Sequence, residues 1–180
     1  HDSPLIVDAL GSLSNPLLAV MMGFIVTAVV QSSSVTVSIV LLMAQQGLLE
    51  LGICFYIILG CNIGACTSAL LAGLSGKKDA KRASLIHFLF NVFGTVLMVI
   101  VLAFASGWME GFFMQISGGN IGRAVANAHT IFKIFQVIVL FPLAGVIVKL
   151  TYLLVPGDES DDEKDFELVY IGAKNVFSPA

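Results

Sequence analysis

Long apolar runs interrupted at a few polar points set the plan of this chain. Residues 15–30, NPLLAVMMGFIVTAVV, carry no charge and open on Asn15-Pro16, an N-cap followed by a proline suited to the first helical position. The run stops at Gln31-Ser32-Ser33-Ser34 and resumes as VTVSIVLLMAQQGLL over 35–49. Each arm has about 15 residues, roughly 22 Å of helix, whereas a bilayer span takes roughly 20 residues. Two short arms around a polar tip predict a re-entrant hairpin. The alternative is one continuous span over 16–44 whose hydroxyls bond back to the preceding turn.

The pattern repeats in weaker form further on. LGICFYIILG (51–60) and ACTSALLAG (65–73) flank a CNIG interruption and together suffice for one broken span. In the competing reading, Asn62 and Gly64 simply pack helices against each other. The run 83–105 is long and apolar enough for a transmembrane helix, and 124–155 makes another with a kink expected at Pro142. Residues 3–14 predict only a short surface or partly inserted helix. The expected architecture is an all-α polytopic membrane protein, with a short amphipathic segment at 1–14, a membrane repeat at 15–155 and an acidic cytoplasmic linker at 156–180.

Composition agrees. The 180 residues are 57% hydrophobic and only 12% charged, against roughly 25% charged in an ordinary soluble domain, and mean hydropathy is +0.95. The net charge of −3 hides a division, because the acids crowd into GDESDDEKDFE (157–167) while the membrane part is mildly basic. Nucleic acid is not an expected partner. Basic residues Lys77, Lys78, Lys81 and Arg82 place that loop in the cytoplasm, and Lys149 with the acidic tail returns there two spans later. Counting backward puts residue 50 outside, so the hairpin enters from the outer face. Cys54, Cys61 and Cys66 form no CxxC and have no histidine cluster beside them, so they read as small buried hydrophobes. The opening lacks both the order of a signal peptide and an initiator Met, and the tail reads as a charged linker with no core of its own. A piece of a longer protein is therefore expected.

Hydroxyls in hydrocarbon-like sequence must find partners or cost several kcal/mol by rough transfer estimates. At a hairpin tip, Ser32, Ser33 and Ser34 can cap the helix starting near Val35, where free N–H groups and the positive dipole end invite a tetrahedral oxyanion. The carbonyl end of the preceding arm, with Gln31 Oε1, offers oxygens to a hard cation such as Na⁺. The second break adds uncharged donors at Asn62, Thr67 and Ser68. No carboxylate lies between residues 9 and 49, so a carboxylate proton relay is not supported there. His87, Asn91 and Thr95 recur at i, i+4 and i+8, a stripe that predicts interhelical hydrogen bonding. Lys133, near His129 and Thr130, fits either an anion path or a side chain snorkelling to the interface. A serine nucleophile is disfavoured, since there is no GxSxG turn and no base nearby in sequence. The lack of charged rings argues against a channel.

TAVVQSSSVTVSIVLL, LGCNIGACTSALLAG, HFLFNVFGT and NAHTIF together resemble the sodium-dependent phosphate cotransporter family, the type II proteins and their bacterial relatives, over residues 15–155. That family carries two inverted repeats with a QSSS hairpin each; here there is one, in a context similar to the second repeat of bacterial members, which often continue into a cytoplasmic PhoU-like helical domain. The resemblance implies sodium-coupled import of inorganic phosphate by a multi-pass protein of the cell membrane, with no catalytic residues. Phosphate would bind at Gln31, Ser32, Ser33 and Ser34, and sodium at Gln31, Ser32, Asn62, Thr67 and Ser68. No cofactor is implied beyond Na⁺ as coupling ion, and sodium is the only metal. The expected partners are the lipid bilayer and either the missing N-terminal repeat or a second copy in a homodimer. A non-transporting scaffold or phosphate-responsive signalling module is the alternative. Ala65 stands where a threonine is common in the family, and Lys133 where an asparagine is common.

Overall fold

The computed structural model describes residues 15–157. The 1–14 segment and all but the first two residues of the 156–180 linker lie outside the described residues. Helix α1, Pro16–Val30, starts where expected: Asn15 Oδ1 accepts the Leu17 N–H at 2.9 Å and Pro16 fills the first position. It stops because Gln31 turns left-handed (φ 60°) and Ser32 is extended, with its hydroxyl accepting the Val35 N–H to cap α2, Ser33–Gln45. The chain reverses there. Met22 and Val26 of α1 face Thr36, Val40 and Met43 of α2 across a narrow apolar cleft closed by Leu49 and Ile57. The two arms thus form a hairpin rather than one continuous helix.

Helix α3, Leu51–Gly64, is buried along nearly its whole length and is the axis of the molecule. It runs parallel to α1 at very close range. A Cβ on Gly23 would collide with the Ile57 carbonyl, one on Gly60 with the Val20 carbonyl, and one on Gly64 with the Phe24 carbonyl. Glycine at all three positions lets backbone meet backbone, in the small-residue manner of membrane helix pairs. After a turn at Ala65-Cys66 the chain continues as α4, Thr67–Leu74.

Helix α5, Lys78–Ile116, returns antiparallel to α3, since Thr95 Oγ1 donates to the Leu59 carbonyl (3.1 Å) while Cys66 Sγ lies 3.8 Å from His87 Nε2. The apolar run expected at 83–105 ends at a kink, Ala105 (φ −130°, ψ 16°), and a second helical stretch follows it to Ile116. The extension is held by packing: Phe113 meets Phe55 and Phe132 edge-on at 5.3 and 5.6 Å, and those two rings lie 5.6 Å apart. Helix α6, Ile121–Leu140, starts on Asn120, whose Oδ1 accepts the Arg123 N–H, and runs antiparallel to α5. A 3₁₀ turn at Phe141–Leu143 carries Pro142 and leads into α7, Ala144–Leu154. No strand occurs among the described residues. The protein is all-α, and the segments 51–74, 78–116 and 121–154 are long and apolar enough to cross a membrane, whereas α1 and α2 are shorter.

Arg82 ties the start of α5 to the segment that follows α7. Its buried guanidinium bonds Asp79 (2.8 Å), the Val155 carbonyl (3.0 and 3.2 Å) and the Gly157 carbonyl, and stacks 4.0 Å from the Tyr152 ring centre. Lysine keeps the charge but not the planar fork. Arg82→Lys is therefore expected to cost about 1.5–3 kcal/mol, the worth of a charged hydrogen-bond set. Thermal denaturation in detergent reads this, and an unchanged midpoint would show that the tie contributes nothing.

Candidate functional site

Local rules build the hairpin tip. Gln31 holds its left-handed turn by donating its backbone N–H to the Thr27 carbonyl at 2.7 Å and a side-chain N–H to the Ala28 carbonyl. Ser32 caps α2, and Thr36 Oγ1 donates back to the Ser32 carbonyl at 3.2 Å. Ser33 and Ser34 occupy the first two helical positions, where backbone N–H groups have no partner within the helix. Ser32 and Ser33 are half-buried, while Gln31 and Ser34 are exposed.

Because α1 and α3 run parallel, the tip reaches the level of the break in the next span. Gln31 Nε2 donates to Thr67 Oγ1 at 3.1 Å, and Thr67 Oγ1 donates in turn to the Gly64 carbonyl at 2.7 Å. Residues 36 apart in sequence thereby join the two polar interruptions into one region. Asn62 is buried just below the break with its Oδ1 unpartnered, and Thr27 Oγ1 is a second buried oxygen without a partner, beside Gly64. Ser68 is exposed, and no hydrogen bond joins it to the tip. Nothing at the sequence level singled out Thr27, whose burial follows from the glycine-mediated approach of α1 to α3.

A second polar patch adjoins the break from the α5–α6 side. Asn91 donates to the His87 carbonyl (2.9 Å) and its Oδ1 accepts from Lys133 Nζ (3.2 Å) and Gln136 Nε2 (3.5 Å). Gln136 also donates to the Phe90 carbonyl at 3.0 Å, and Cys66, next to Thr67, contacts His87. The described residues contain no cluster of metal-ligating His, Cys, Asp or Glu. Backbone ends, amides and hydroxyls at a helix interruption can hold an oxyanion through donors and an alkali cation through oxygens.

An all-α fold with three segments long and apolar enough to cross a membrane, beside two shorter apolar helices joined at a polar turn, is that of a helical membrane protein. Residues 7–113 match the family model described as Na+/Pi-cotransporter, and the chain belongs to that family, which is one of transporters rather than enzymes. "Uncharacterized protein YqeW" of Bacillus subtilis (strain 168) is 31% identical over 139 residues, 77% of this chain and 44% of that protein. Sodium-dependent phosphate transport protein 2A of Ovis aries is 31% identical over 157 residues, 84% of this chain and 24% of that protein. Sodium-dependent phosphate transport protein 2C of Homo sapiens is 40% identical over 90 residues, 48% and 15% respectively. The chain thus spans less than half the length of these relatives. No solved structure matches it.

Proposed function

We propose that this chain supplies one repeat of a sodium-coupled importer of inorganic phosphate in the cell membrane. The observation that carries the reading is the bond from Gln31 to Thr67, which brings the QSSS tip against the broken span. In this reading α1 and α2 form a re-entrant hairpin, and phosphate is held by Ser32, Ser33, Ser34 and Gln31 at the start of α2. Na⁺ is held by oxygens of Gln31, Ser32, Asn62, Thr67 and Ser68. Each ion neutralises the other's field, so binding is reciprocal: sodium tightens phosphate by the factor by which phosphate tightens sodium.

One repeat offers one tip, and a second must cover its open side. Leu17, Met21, Ile25 and Val29, spaced four apart along α1, are all exposed and supply an apolar face for an inverted repeat or a second copy. Access alternates as the hairpin-bearing part moves against that partner.

Radiolabelled phosphate uptake into proteoliposomes of this chain, with an inward Na⁺ gradient and a K⁺ control, tests the reading. Uptake in Na⁺ only is the expected result if two copies complete the site. Absence of both uptake and phosphate binding, even when an N-terminal repeat is supplied, would favour a scaffold or signalling role. Ser33→Ala is expected to weaken phosphate binding by about 1–3 kcal/mol, as for loss of a hydrogen bond to a charged group. Isothermal titration reads this, and unchanged affinity would remove Ser33 from the site.

A further inference from the structure

Among the described residues, Lys133 is a cation without a carboxylate partner. Among the described residues the acids are Glu50, Asp79 and Glu110. Asp79 pairs with Arg82, Glu110 lies against Gly52 near the start of α3, and Glu50 immediately precedes that helix. Lys133 sits well inside the third spanning segment, half-buried, with Nζ bonded to the neutral amide of Asn91 at 3.2 Å. An ammonium has three donor hydrogens, and Asn91 uses one. A charge kept at such a depth, facing protein and lacking a counter-ion, marks a path or site for something of opposite sign.

Helix register places that charge at the level of the hairpin tip. Helix α2 runs antiparallel to α6, and Gln45 packs against Gly122. Ser34 lies eleven residues before Gln45 and Lys133 eleven after Gly122. At about 1.5 Å per residue both stand ~16 Å along from that contact, at the same level. The polar patch reaches the same point through α5: Asn91, which holds Lys133, bonds the His87 carbonyl, and His87 contacts Cys66, the neighbour of Thr67. One turn before Lys133, His129 Nε2 is buried with no partner. A donor or acceptor left bare in this way, i−4 to an ammonium, is a second vacant position for hydrogen bonding on the same helix face.

We propose that Lys133 is a fixed counter-charge for the oxyanion held at the QSSS tip, with His129 Nε2 as a neighbouring contact. The inference rests on the phosphate reading above. The hydroxyls and helix start of α2 hold the anion from one side, and the ammonium of α6 faces it from the other. Binding then has a component that needs no mobile cation, because one positive charge is built into the chain.

The test is equilibrium binding of radiolabelled inorganic phosphate to the full chain in nanodiscs, in sodium chloride and in choline chloride. The variants are Lys133→Gln, which keeps a donor for Asn91, and Lys133→Arg, which keeps the charge; size-exclusion profiles check folding. Lys133→Gln is expected to bind phosphate at least about tenfold more weakly in choline and to show a steeper dependence on Na⁺, whereas Lys133→Arg stays within about threefold of the parent. Equal affinity of Lys133→Gln and parent in choline would overturn the counter-charge role while leaving the transporter reading intact. A parent that binds no phosphate in either medium, even with an N-terminal repeat supplied, would overturn both. Should Lys133→Gln fail to fold, acylation of the Lys133 amine in the parent decides the matter by mass spectrometry. Protection by phosphate supports the role, and an unchanged acylation rate overturns it.

Discussion

Gly60→Val is expected to unseat the hairpin from the rest of the molecule, with a stability loss of about 3 kcal/mol or more, at or beyond the upper end for overpacking. A Cβ at Gly60 would run into the Val20 carbonyl and come within 2.8 Å of the Phe24 nitrogen. Both obstacles are backbone atoms of a helix and cannot rotate aside. Relief requires α1 to move bodily from α3, which re-exposes the face around Ala19, Gly23 and Thr27 and lifts Gln31 away from Thr67. Uptake should therefore fall together with the melting temperature. Gly107→Ala is the matched control, since a Cβ there meets nothing within 4 Å and alanine gains about 0.5–1 kcal/mol of helix propensity. Detergent melting curves compare the pair. Equal midpoints for Gly60→Val and the parent would show that α1 does not dock on α3 through its glycines.

Much of this arrangement was legible because polar residues in an apolar chain are rare and each needs a reason. The QSSS interruption predicted a reversal, and Pro142 a kink, from local chemistry alone: serine favours an N-cap and proline lacks a donor. The stripe His87, Asn91, Thr95 predicted contacts between helices, and Asn91 and Thr95 make them. What sequence could not supply was pairing over distance. Gly60 and Gly64 show the four-residue spacing of a close-packing face, yet nothing local names Gly23 as their opposite. The 106–116 stretch reads poorly as helix, with Gly107 and Gly111 in it, and is held by an aromatic cluster whose members come from three helices. Lys133 was ambiguous for the same reason: its partner Asn91 is 42 residues away, and only the fold distinguishes a side chain turned to a neutral amide from one reaching for an interface.

The bond between Gln31 and Thr67 should show as coupling in a double-mutant cycle on phosphate uptake. Gln31→Leu and Thr67→Val are each expected to reduce uptake by about tenfold or more, and the double variant to lose less than the sum, by about 1 kcal/mol of coupling. The geometry explains why the two effects share a cause. Both side-chain N–H groups of Gln31 are committed, one to the Ala28 carbonyl and one to Thr67 Oγ1, so Oε1 is turned by them and remains available as an acceptor for a cation. Thr67 can accept from Gln31 because its own hydrogen goes to the Gly64 carbonyl. Removing either partner frees the amide to rotate and leaves the other side chain unsatisfied beside the break. Gln31→Gly separates this role from that of the turn: glycine adopts the left-handed φ of 60° without the roughly 1–2 kcal/mol cost of a side chain there, but has no amide. Loss of uptake in Gln31→Gly with an undiminished melting temperature would assign the requirement to the side chain. Strictly additive losses in the cycle would instead mean that the tip and the broken span act independently, and that the bond joining them is incidental to transport.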